Sequence, residues 1–120
     1  MQVNPLVLAI ASGSYERDIR AILRANGLER RFAAVVGKDN VKRTKPHPET
    51  YLAAVERLGI PPERCLAIED AEKGVTSAKA AGMRVILIET EITRDLGLGG
   101  ADLSLSGLAE LRDLLGSLTA

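Results

Sequence analysis

Short apolar runs, separated by stretches with helical spacing, constrain this chain more than any other feature. Residues 6–11 read LVLAIA, residues 33–36 AAVV, residues 65–68 CLAI and residues 84–88 RVILI. Each is too short for a buried helix, and the unbroken apolar run at 6–11 suits a strand covered on both faces. Strand–helix alternation of this kind calls for a parallel sheet with right-handed crossovers, and so for an α/β fold.

The intervening stretches carry helix signals. Ser14 is placed to cap a helix running to about residue 26, with Glu16 and Asp18 in the first turn, where negative charge suits the helix dipole. Ile19, Ile22 and Leu23 form its apolar stripe and Gly27 ends it. Pro48 opens a second helix whose buried face is Tyr51, Leu52, Val55 and Leu58; Gly59 stops it and Pro61-Pro62 turn the chain. A third helix spans about 72–81 and closes at Gly82. A short fifth strand at 102–105 and a final helix at 108–115 complete the pattern.

Composition narrows the function. The 120 residues suit one small domain without repeats or low-complexity segments. Aromatics are 2 %, so the core must be built from Leu, Val, Ile and Ala. Net charge is zero, with acids and bases mixed along the chain. That excludes the basic stripe of a nucleic-acid binder and favours neither a membrane surface nor a polyanion. No apolar run approaches the roughly 18 residues of a membrane helix, and residues 1–5 lack a leader's positive charge. A cytoplasmic location is the resulting expectation. Cys65 is the single cysteine, which excludes an intrachain disulfide, and it reads as a small buried hydrophobe.

Ligands of open parallel sheets bind beyond the carboxyl ends of the strands, so the polar residues after each run matter most. Ser12-Gly13-Ser14 follows the first strand, Lys45-Pro46-His47-Pro48 lies in the loop after the second, and Glu69-Asp70 ends the third. A hydroxyl and backbone N–H groups hold a phosphate oxygen, an ammonium neutralises phosphoryl charge, and adjacent carboxylates suit Mg²⁺, a hard cation. Taken singly, Ser12 and Ser14 are capping residues, Lys45 a solvated charge, Glu69-Asp70 a dipole complement, and His47, Asp39 and Asn40 turn residues. Their ordered combination points to phosphoryl transfer, in which catalysis is mostly positioning and charge neutralisation.

Three segments, LAIASGS (8–14), KRTKPHPETYLAA (42–54) and RCLAIEDAEKGVTSAKAAGM (64–83), resemble the second, third and fourth motifs of haloacid-dehalogenase-type hydrolases, in the β-phosphoglucomutase and phosphoglycolate-phosphatase branch. The resemblance covers about residues 6–115. It implies a Rossmann-like core with a three-layer α/β/α parallel sheet. It makes Ser12 and Lys45 catalytic residues, Ser12, Gly13 and Lys45 the phosphate-binding set, and Glu69 with Asp70 the Mg²⁺ ligands. Gly74, Ala78 and Gly82 match small positions where the following helix packs closely on the sheet.

The family's nucleophile lies in a D-x-D-x-T motif at the end of a first, central strand, and the sequence contains no such motif. A partial core, residues 1–120, without its central strand or its helical cap domain is therefore expected. Mg²⁺ affinity should be weak, because two adjacent acids without a further ligand repel each other. Three functional readings follow. The first is a Mg²⁺-dependent phosphatase or phosphomutase core for a small phosphorylated metabolite, inactive as this chain alone. The second is a non-enzymatic phosphate-binding or degenerate partner module. A receiver-type phosphoacceptor fits the sheet class but fails on motif order. Removing a central strand leaves two strand edges unpaired. Either the 6–11 strand pairs directly with the 65–68 strand, or self-association or a partner chain fills the gap.

Overall fold

The computed structural model describes residues 6–94 and 99–119; residues 1–5, read above for a leader, lie outside them. The strands are β1 (Leu8–Ala11), β2 (Phe32–Val36), β3 (Leu66–Glu69), β4 (Arg84–Ile88) and β5 (Leu103–Leu105). The helices are α1 (Glu16–Ala25), α2 (Glu49–Leu58), α3 (Glu72–Ala80) and α4 (Leu108–Thr119). All pairings are parallel, as the strand–helix rhythm requires.

The strands do not close into one ladder. Among the described residues β1 pairs only with β2, in one two-stranded sheet, and β3, β4 and β5 form a second sheet in that order. The direct pairing of the first and third strands is therefore corrected: β1 and β3 face each other across an unfilled slot. The physical reason lies in the coverings. α2 packs on β1 and β2 while also touching α3, so the helical layer spans the slot and links the two sheets.

Side-chain alternation builds the layers. Val35 points towards α1, packing with Ile19 and Leu23. Val85 and Leu87 point the other way, into a larger cluster with Tyr51 and Val55 of α2 and Val75 and Ala78 of α3. Helices thus cover both faces.

Several local expectations change. The 6–11 run is not a strand buried on both faces: Leu6, Val7 and Leu8 are exposed, and the strand starts at Leu8. Ile22 is exposed on α1, and Leu52 is exposed on α2, where Ala54 takes the buried place. Cys65 is half-buried against the larger cluster, and that burial raises its thiol pKa, with Glu63 adding to the effect.

Ser14 does not cap α1. The helix begins after Tyr15, and the Glu16 N–H donates instead to Asp39 Oδ1 at 2.9 Å. Asp39, read as a turn residue, is thus a cap supplied from the next loop. The two loops approach closely through Gly37, where an added Cβ would lie 2.5 Å from the Glu16 nitrogen. Asn40 does keep its turn role, its Oδ1 accepting from the Gly37 N–H at 2.8 Å. No helix among the described residues is long and apolar enough to cross a membrane.

Candidate active site at the strand ends

Parallel strands carry their carboxyl ends to one edge, so the residues after β1 and β3 converge there. Ala11, Ser12, Gly13, Lys45, Glu69 and Asp70 line a cavity of about 460 Å³, with Ile88, Thr90 and Leu108 completing the wall. All five candidate site residues from the sequence, Ser12, Gly13, Lys45, Glu69 and Asp70, share this one mouth.

Ser12 is fixed at the end of β1. Its N–H donates to Val36 O at 2.9 Å, and its Oγ accepts the Ser14 N–H at 3.1 Å. Because the hydroxyl accepts there, its own proton stays available for a ligand.

Lys45 is reached by the loop after β2, across a cis peptide bond to Pro46. Its Nζ donates to Ala11 O at 3.0 Å and to Glu69 Oε2 at 2.6 Å. An ammonium has three N–H groups, so one remains for a ligand. The ammonium also lies 4.8 Å from the centre of the Tyr51 ring, within cation–π range.

Glu69 is the most constrained group. Its Oε2 accepts from both Lys45 Nζ and the Tyr51 hydroxyl. Its carboxylate also lies over Gly74, where an added Cβ would fall 1.8 Å from Oε1. Gly74 is therefore small because Glu69 occupies the space a side chain would need. Burial, reinforced by the Glu69 carboxylate, pushes the Tyr51 phenol well above its ordinary range. Asp70 is exposed and makes no hydrogen bond or ion pair among the described residues.

Hard oxygen ligands are thus present as Asp70 and the Glu69 Oε1 that Lys45 leaves unused. That donor set fits Mg²⁺, which takes one or two carboxylates and keeps waters. It is a sparse set: no group of three or more His, Cys, Asp or Glu gathers among the described residues.

His47 is a structural residue. Its Nδ1 accepts from the Glu49 N–H at 3.1 Å at the start of α2, and its carbonyl accepts from Ser77 Oγ at 2.7 Å. Sequence reasoning missed Tyr51 as part of the site, reading it only as core. The available signal was a hydroxyl on an otherwise aliphatic helix face, which needs a buried partner.

The family model described as haloacid dehalogenase-like hydrolase matches residues 3–82. Protein CbbY of Rhodobacter capsulatus is 38 % identical over 104 residues, covering 84 % of this chain and 46 % of that protein. Hexitol phosphatase B of Escherichia coli is 36 % identical over 114 residues, covering 92 % and 51 %. Fructose-1-phosphate phosphatase YqaB of the same organism is 40 % identical over 79 residues, covering 66 % and 42 %. Among solved structures, CbbY from Rhodobacter sphaeroides in complex with phosphate superposes with a TM-score of 0.80 at 36 % identity, covering 88 % of this chain and 48 % of that one. The β-phosphoglucomutase of Clostridium difficile gives 0.77 at 25 %, covering 88 % and 45 %. The chain thus spans about half the length of the relatives it matches. The motif order, the parallel α/β architecture and the matched family model agree: this chain belongs to the haloacid dehalogenase-like hydrolases.

Proposed function

We propose that this chain forms the phosphate-binding part of a Mg²⁺-dependent phosphatase or phosphomutase site for a small phosphorylated metabolite, and that the 120 residues alone do not turn over. The observation that carries the reading is the convergence of Ser12, Gly13, Lys45, Glu69 and Asp70 on one mouth. Relatives named fructose-1-phosphate phosphatase and hexitol phosphatase support the substrate class. The cytoplasm is where such metabolites would be met.

In this reading Ser12 donates its hydroxyl proton to a phosphoryl oxygen and Gly13 offers its backbone N–H. Lys45 directs its remaining N–H at the same group, held in place by Ala11 O, Glu69 and the Tyr51 ring. Bound Mg²⁺, on Asp70 and Glu69, would neutralise charge on the transferring phosphoryl group. Turnover by a covalent route needs a carboxylate positioned for attack. Glu69 is committed to Lys45 and Tyr51, and Asp70 is the other carboxylate at the mouth, needed for the metal. A carboxylate from outside these residues is therefore required.

The test is inorganic phosphate binding, followed by calorimetry or NMR, beside hydrolysis of p-nitrophenyl phosphate with and without Mg²⁺. Expected are phosphate binding that weakens about tenfold or more in Lys45→Ala and no hydrolysis. Robust hydrolysis by this chain would refute its inactivity; no phosphate binding would refute the site. A non-enzymatic phosphate-binding module is the second reading, favoured by the commitment of Glu69 to Lys45. Phosphate binding that is indifferent to Mg²⁺ distinguishes it.

A further inference from the structure

We infer that Thr90 is a specificity-determining residue of this mouth: its hydroxyl donates a hydrogen bond to an oxygen on the uncharged remainder of a phosphate monoester whose phosphoryl group lies at Ser12 and Lys45. The inference rests on the phosphate-binding reading and deepens it by naming what the other half of the cavity holds.

The mouth has two unlike halves. Ser12, Gly13, Lys45, Glu69 and Asp70, which follow β1, β2 and β3, bring the charges and donors suited to a phosphoryl group. β4 lies on the far side of β3 from β1, and the wall there is Ile88, Thr90 and Leu108. Leu108, at the start of α4, is exposed. Lys45 is the one cation in the wall among the described residues. The β4 half therefore offers apolar surface and one hydroxyl, and nothing to neutralise a second phosphoryl charge. The cavity, about 460 Å³, has the volume of a small-molecule site, so a bare phosphate leaves room for carbon atoms. Pockets for such molecules are mostly apolar, with a few placed polar groups that fix orientation.

The direction of the Thr90 hydrogen bond follows from its neighbour. The chain turns after β4, and Thr93 comes back under Thr90. Thr93 is 4 % exposed, and its Oγ1 accepts from the Thr90 N–H at 2.8 Å. Its own hydroxyl proton must be bonded as well, because a buried donor without an acceptor carries its whole desolvation cost. The acceptor within reach is Thr90 Oγ1, at 3.1 Å. The Thr93 N–H donates to the same oxygen at 3.2 Å. A hydroxyl oxygen has two lone pairs, and both are thus occupied. What Thr90 has left is its proton, and no other hydrogen bond among the described residues takes it. Towards the mouth Thr90 is therefore a donor and not an acceptor. The partner it selects is an oxygen with a free lone pair, such as a hydroxyl or carbonyl oxygen of a sugar phosphate. Holding the turn uses the lone pairs of Thr90 and serving a ligand uses its proton, so one role does not displace the other.

The probes are inorganic phosphate, fructose 1-phosphate and fructose 1,6-bisphosphate, titrated into the 120-residue chain and followed by NMR. Expected is tighter binding of fructose 1-phosphate than of phosphate, with the Thr90 and Leu108 methyl signals moving only for the sugar ester. Thr90→Val removes the proton and should cut the ratio of those two affinities about threefold to tenfold. Thr90→Ser, which keeps the hydroxyl, should restore it. Thr93→Val breaks bonds of the same turn without removing the Thr90 proton, so it should lower Tm yet hold the ratio within about twofold. An equal loss of the ratio in Thr93→Val would assign the preference to the turn and overturn the proposal. An unchanged ratio in Thr90→Val would overturn it too, and a fall in Mg²⁺ affinity instead would make Thr90 a donor to Asp70. Fructose 1,6-bisphosphate binding about tenfold or more tighter than fructose 1-phosphate would refute the uncharged remainder. Phosphate binding that persists while the ratios fail leaves the phosphate site standing, whereas loss of phosphate binding itself removes both readings.

Discussion

The two sheets on either side of the slot are unequal. The β3–β4–β5 side shares a cluster of ten buried residues, drawn from α2, α3, β3 and β4 and reaching Ala101. The β1–β2 side has three of its own, Ile19, Leu23 and Val35, with Ile10 and Phe32 partly covered. The difference teaches where stability and function reside. The larger cluster anchors Glu69, Gly74 and the start of α3, whereas Ser12 and Gly13 sit on the thinner side. The site is therefore assembled across a boundary, bridged by α2, which packs on β1 and β2 and lends Tyr51 and Val55 to the larger cluster, and by polar ties at the mouth: Lys45 to Ala11 O and Glu69, and Tyr51 to Glu69.

If the inequality is real, core truncations should separate the two sides. Leu87→Ala, at a 3 % exposed position in the larger cluster, should cost about 3–5 kcal/mol in urea unfolding. Leu23→Ala should cost about 2–3 kcal/mol, because its neighbours can collapse into the space. Native-state hydrogen exchange should show 32–36 opening before 84–88. Equal costs with simultaneous opening would merge the two sides into one cooperative unit.

A smaller effect tests the tie between them. Tyr51→Phe keeps the ring under Lys45 and removes the hydroxyl bonded to Glu69. A loss of about 1–2 kcal/mol is expected, with a few-fold fall in phosphate affinity. Tyr51→Leu removes the ring as well and should weaken phosphate binding further. Unchanged affinity in both variants would show that Lys45 is held by Glu69 alone.

The smallest effect lies within the stronger side. Asp102 accepts from the Val85 N–H at 2.8 Å and from Lys79 Nζ at 3.1 Å. The Val85 N–H first, then Lys79, holds its carboxyl below the ordinary value of 3.8. A depressed folded pKa stabilises fully above the unfolded value and is lost as pH falls through the folded one. Asp102→Asn should therefore lower Tm slightly near neutrality, where the carboxylate contributes fully, with the difference from the parent shrinking as pH falls below about 4 and the acid limb flattening accordingly. An unaltered acid limb would assign the acid sensitivity elsewhere, for instance to Glu16, lowered by its hydrogen bonds to Arg20 and Asn40.

Much of the site was legible because its residues follow strands. Apolar runs of four or five residues end where polar ones begin, and that boundary places Ser12, Gly13, Glu69 and Asp70 at one edge whatever the fine geometry. Lys45 was legible through its motif. What escaped depended on contacts between residues distant in sequence. Asp39 caps α1 from 23 residues away, a reach that local capping rules cannot see. Tyr51 joins the site because α2, packed on β1 and β2, carries its hydroxyl across to Glu69 at the end of β3. Leu6, Val7 and Leu8 read as a buried strand, yet are exposed because none of the described residues covers that edge.

By itself, then, the sequence determined the α/β class, the parallel direction of the strands and the set of polar groups at their ends, since these follow from local periodicity and from the geometry of crossovers. Only the tertiary structure decided which edges pair. Strand pairing is a competition among distant segments, and the helix that spans β1 and β2 and reaches α3 holds the two sheets apart. That separation leaves the mouth lined by Ser12, Gly13, Lys45, Glu69 and Asp70 above an open slot between β1 and β3.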